Sequence, residues 1–201
     1  MQIRTGSRRG IRPPAIGLAW LALAIGLGAS GRLLLLRPPA PQLILLGLTV
    51  AVLVAGARIP ALRDWAFGLD LRTVVALHLT RFVGAYFIVL YRRAELPFAF
   101  AVPGGLGDIL VATLAAFLIL SGPPTTLGRR RIYAAWNILG LLDILVVIAT
   151  AARLGLTDPD SMRALLRLPL SLLPTFLVPL IVASHVLIAV RLARPADRSS
   201  G

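Results

Sequence analysis

Runs of roughly 20 apolar residues recur along this chain, and each is long enough to cross about 30 Å of hydrocarbon. No other feature constrains the fold as much. Mean hydropathy is +0.87 and 58% of the 201 residues are hydrophobic, so no polar face remains for a soluble helix to turn outward. The pattern predicts an all-α fold, a polytopic integral membrane protein built as a six-helix transmembrane bundle with short interfacial helices. The predicted spans are Ala15–Leu36, Gln42–Ala57, Leu71–Tyr91, Leu96–Leu120, Ile132–Leu154 and Leu170–Leu192. Residues 15–192 then form one transmembrane domain, with a basic cytoplasmic tail at 1–14 and a disordered tail at 193–201.

The segments between the runs carry their own signals. Arg37-Pro38-Pro39-Ala40-Pro41 is a turn, because its prolines cannot continue a helix. Arg58–Asp70 mixes charge with Trp65 and reads as an interfacial segment at headgroup depth. Asp158-Pro159-Asp160 is a helix start, with a capping acid and then proline at the first position; it opens a short helix to about Arg167. Leu96–Leu120 has two readings. It is either one span kinked at Pro103-Gly104-Gly105, or a re-entrant segment followed by a helix starting near Gly104. Pro174 and Pro179 predict a kinked last span with freed carbonyls.

The first run imitates a signal peptide, with Arg4, Arg8, Arg9 and Arg12 ahead of it, but its length predicts a retained span. Ala15, Ala19, Ala22, Gly26 and Ala29 repeat along it at four- and three-residue steps. Such a small-residue face suits close helix contact, and other membrane subunits are the expected partners there besides the bilayer. Trp20 and Trp65 are expected in the aromatic belts.

Composition excludes several chemistries. All 21 basic residues are arginine, so there is no Schiff-base lysine and no P-loop lysine. With no cysteine, disulfides, thiolate metal sites and covalent haem attachment are excluded. The net charge of +13 does not indicate nucleic acid, because the arginines gather at the ends of the apolar runs, where they anchor to headgroups. With six spans, thirteen arginines fall on the side of the termini and seven on the other. That excess predicts a bacterial cytoplasmic membrane location with both termini cytoplasmic.

A few ionisable groups lie inside the runs, where charge is costly and usually paired or functional. Arg81, Asp108 and Asp143 share a mid-membrane layer. Asn137 and Asp143 lie on one half of their span. His78 and His185 each lie seven residues from a cytoplasmic span end, roughly 10 Å deep. These groups support a ligand or proton site made of Arg81, Asp108, Asp143 and Asn137. One arginine cannot neutralise both carboxylates, and a carboxylate without its partner could carry a proton. The expected function is binding or moving a small solute, with proton coupling as one version. An alternative is a cofactor-binding subunit of an electron-transfer or light-harvesting complex, with His78 and His185 ligating a haem b or chlorin-type pigment. A third is a structural membrane subunit. No catalytic residue and no metal site is assigned, since signatures such as HExxH and GxSxG are missing.

Gly105-Leu106-Gly107-Asp108 resembles the Gly-x-Gly-Asp motif of presenilin, signal peptide peptidase and prepilin peptidase-type intramembrane aspartyl proteases. The resemblance covers four residues and implies an aspartate pair sharing a proton for peptide hydrolysis. In those families the partner aspartate lies in an earlier span. Here the intramembrane candidate, Asp143, lies in a later one.

Overall fold

A computed structural model describes residues 13–194. Most of the basic tail and residues 195–201 lie outside it, and with them Arg4, Arg8, Arg9, Arg12 and Arg198. Among the described residues every regular element is helical: α1 (Pro13–Ala29), α2 (Ala40–Arg58), α3 (Pro60–Gly68), α4 (Leu71–Arg92), α5 (Phe98–Ser121), α6 (Leu127–Thr157) and α7 (Leu173–Ala193). Short 3₁₀ segments cover Arg32–Leu35 and Pro159–Leu166.

Local chemistry sets the starts of these helices. Asp70 accepts the Arg72 N–H at 2.8 Å and caps α4. Thr126 caps α6 through the Arg129 N–H, and Asp158 caps the second 3₁₀ segment through Ser161. Proline stands in the first turn of α2, α3 and α7, where a missing N–H costs nothing.

Five helices, α2, α4, α5, α6 and α7, are long and apolar enough to cross a membrane. α1 has 17 residues, about 26 Å of helix, and chain reversal at Ser30-Gly31 ends it before the predicted Leu36. α5 is one continuous helix through Pro103. The re-entrant alternative for Leu96–Leu120 is therefore corrected: Asp108 lies three turns inside α5, not in a first turn.

Four helices close a ring. α4 packs on α5, α5 on α6, α6 on α7, and α7 returns to α4. The α4–α5 contact is backbone against backbone. A Cβ added at Gly105 would stand 2.6 Å from the Gly84 carbonyl oxygen, so only glycine permits this approach. Apolar clusters fill both ends of the ring, one around Val75, Leu118 and Tyr133, the other around Phe87, Leu90, Phe100 and Leu170. A polar layer lies between them. Leu18, Leu43, Leu106, Phe117, Leu120 and Ile138 point outward, a surface suited to acyl chains rather than water.

α1 and α2 stand outside the ring, and α2 buries no residue at all. α1 does not dock through its small-residue stripe: Ala15, Ala19, Ala22, Gly26 and Ala29 are all exposed. It docks through Trp20, Ala24 and Gly28 instead. Trp20 is thus no belt residue. Pro179 has no N–H to offer the Thr175 carbonyl one turn back, and the Trp20 indole donates to that carbonyl at 2.9 Å. Trp65, by contrast, is exposed on α3.

Candidate functional site

The middle of α4 departs from α geometry. Leu77–Val83 is wound as a 3₁₀ helix, in which residues three apart eclipse one another. His78, Arg81 and Gly84 therefore stand in one column facing the ring interior. Gly84 admits α5, and Arg81 meets the polar groups of α5 and α6.

The Arg81 side chain is 1% exposed, and each of its three nitrogens donates one hydrogen bond. Its Nε donates to Asp108 Oδ1 at 2.6 Å and its Nη1 to the Gly140 carbonyl at 3.0 Å, while Nη2 donates to Asp143 Oδ2. One guanidinium thus ties α4 to α5 and α6. Asp143 reaches it by lying across Gly107, where any Cβ would collide with its carboxylate. The two carboxylates share the guanidinium and make no hydrogen bond to each other among the described residues. That differs from the directly paired aspartates that the Gly-x-Gly-Asp resemblance implies. Gly105 and Gly107 have steric roles here, against Gly84 and Asp143.

Toward the other side of Gly140 lies the imidazole layer. The His78 and His185 ring centroids are 4.3 Å apart, and Trp136 meets His78 edge-on at 4.9 Å. Asn137 makes a reciprocal contact with His185: its Nδ2 donates to the His185 carbonyl at 3.1 Å, and its Oδ1 faces Nδ1 at 2.8 Å. The carbonyl needs a donor, which fixes the amide orientation. Nδ1 of His185 must then carry the proton, leaving Nε2 as a bare acceptor. Ser184 uses its one proton on the Ile181 carbonyl, so it accepts from His78 Nε2 at 3.0 Å. Nδ1 of His78 is then bare too. Both bare nitrogens are buried without a partner. With the rings in contact, no gap for a macrocycle opens between them, unlike the arrangement a bis-His haem b or chlorin would need. Among the described residues no group of three or more His, Cys, Asp or Glu could hold a metal.

All six sequence-selected residues, Arg81, Asp108, Asp143, Asn137, His78 and His185, thus line one interior column. Ser184, Trp136 and the Gly140 carbonyl escaped the sequence reading. Ser184 has no signal beyond adjacency to His185, and a backbone carbonyl has none at all. A cavity of about 70 Å³ adjoins the column; Thr80, Arg81 and Asp108 border it, but its wall is almost wholly apolar, with Phe87, Ile144 and Leu173 among the lining residues.

A family model described as Domain of unknown function (DUF8737) matches residues 38–193. The chain belongs to that family. The DUF8737 match runs from the turn before α2 to the end of α7, so it takes in all five long helices and the whole polar column but not α1. No curated protein and no solved structure matches the chain.

Proposed function

We propose that this DUF8737 protein is a six-span membrane protein whose Arg81–Asp108–Asp143 centre holds a proton and uses it to bind and move a small anionic solute. The sharing of one guanidinium by two carboxylates carries this reading. With both aspartates ionised the centre bears one net negative charge in a medium that penalises charge. A single proton on either carboxylate removes that charge. It also frees one N–H edge of Arg81 to donate to an anion in place of the carboxylate. Solute and proton are thereby coupled through one side chain: loss of the proton returns the carboxylate to Arg81 and expels the anion. Asn137 positions His185 beside Gly140, whose carbonyl is the third acceptor of Arg81.

The arginine distribution supports the orientation. The ends of α2, α6 and α7 that carry Arg58, Arg129, Arg130, Arg131 and Arg191 would face the cytoplasm of a bacterial membrane, and α1 would supply the sixth span.

Proton flux tests the reading directly. Proteoliposomes enclosing a pH-sensitive dye are given an outside pool of one small anion, chloride or inorganic phosphate in turn, and dye response is compared with protein-free vesicles. The expected result is proton entry that Asp108→Asn and Asp143→Asn each abolish. Equal flux in wild type, Asp108→Asn, Asp143→Asn and Arg81→Gln would end the proposal and leave the triad a structural tie.

A further inference from the structure

Outside the ring, α2 leans on α7 and leaves its approach to α6 open. The gap is a cleft of about 930 Å³, in the size range of small-molecule sites. Its walls are unequal along their length. Leu45, Leu46, Leu145, Ile148, Ala152 and Val182 make the inner part apolar, whereas Arg37, Gln42 and Arg163 gather at one end with Asp160. Gln42 bridges that end. Its amide nitrogen reaches α6 at Gly155, where an added Cβ would stand 2.6 Å from it. Its Oε1 is buried and has no hydrogen-bond partner. Asp160 pairs with Arg163 at 3.4 Å in an exposed contact, a weak tie that a phosphate could displace. Arg37 has no carboxylate partner among the described residues.

From this we infer that the α2–α6 cleft is a seat for one anionic phospholipid. The phosphate lies between Arg37 and Arg163, and an acyl chain fills the apolar length. The charge of the two guanidiniums selects an anion. The cleft adjoins the small cavity beside Arg81. Leu45, Ile148, Ala151, Leu165 and Pro174 line both spaces. A chain in the cleft therefore closes the side of the cavity that would otherwise open toward the bilayer.

The test is lipid retention. Purified protein is delipidated, exchanged into nanodiscs of phosphatidylcholine doped with phosphatidylglycerol, phosphatidate or neither, and re-extracted. Bound lipid is then counted by native mass spectrometry. Phosphatidylglycerol and phosphatidate should each remain at one per chain, far ahead of phosphatidylcholine. Each of Arg37→Gln and Arg163→Gln should weaken retention about fivefold. Ala152→Trp should empty the cleft. Equal retention of all three lipids, or an anionic preference that survives both arginine changes, would overturn the inference. So would a lipid-free dimer, which would give the cleft to a second copy. Retention is read without any flux, so the outcome is independent of the proton assay.

Discussion

The two polar layers inside the ring solve burial differently. Around Arg81 every guanidinium nitrogen finds an acceptor, and the surplus charge lies with the carboxylates. Around His78 and His185 each ring has one nitrogen engaged and one bare. Charge explains the contrast. A guanidinium inside hydrocarbon cannot shed its proton, so it must be surrounded by acceptors. An imidazole can stay neutral, so one unmet acceptor costs about 1–3 kcal/mol, less than an unpaired buried charge. The ionic layer is therefore expected to hold the helices together, and the imidazole layer to fix the α6–α7 register.

The contrast yields predictions of decreasing size. Arg81→Leu leaves two carboxylates buried without compensation and should destabilise the fold by about 3–5 kcal/mol. Denaturation in mixed micelles measures it. Replacing the whole triad, as Arg81→Met with Asp108→Leu and Asp143→Leu, should restore stability to near wild type. That variant should be folded yet inactive in the proton assay; a folded and active one would separate the ionic layer from function. Next comes Gly140→Ala, which joins the layers. Its Cβ would stand 2.7 Å from His185 Cε1 and 3.0 Å from Val111 Cγ1, and overpacking of this kind costs about 1–3 kcal/mol.

Asn137→Ala removes both hydrogen bonds to His185 and should cost less, about 0.6–2 kcal/mol. If it matched Arg81→Leu, the ranking of the layers would be wrong. The smallest effect belongs to the α4 cap. The Arg72 backbone N–H holds the Asp70 carboxyl below its ordinary pKa, assisted by the Arg72 side chain. Its stabilising contribution is complete above the ordinary carboxylate pKa and is lost as pH falls through the lowered one. Asp70→Asn should flatten that acid limb in a pH series of thermal melts and leave neutral-pH stability nearly unchanged.

Much of this was legible in the residues. The apolar runs locate the five long helices to within a few positions. Arg81, Asp108, Asp143 and the histidines stand out because a bilayer makes each of them expensive. Their convergence follows from the same cost, but their partners do not. Spacing alone puts His78 and Arg81 on a shared side; the 3₁₀ winding that stacks them over Gly84 is a feature of the structure that spacing does not show. The stripe on α1 misled because small residues permit contact without requiring it. The helix instead follows the carbonyl that Pro179 leaves unpaired, a demand that lies 155 positions away from Trp20 in the chain. Gln42 and Gly155 give no local signal either, since neither is unusual in its own run.

The sequence by itself determined that the described chain is helical, that its long apolar segments suit a bilayer, and which side chains have to be sheltered, because hydropathy and burial cost are properties of each segment. Only tertiary structure decided that one guanidinium serves two carboxylates, that two imidazoles keep bare nitrogens in ring contact, and that a cleft opens between α2 and α6. Those outcomes depend on which backbones can approach, and close approach is set jointly by glycines on different helices rather than by any one stretch of chain.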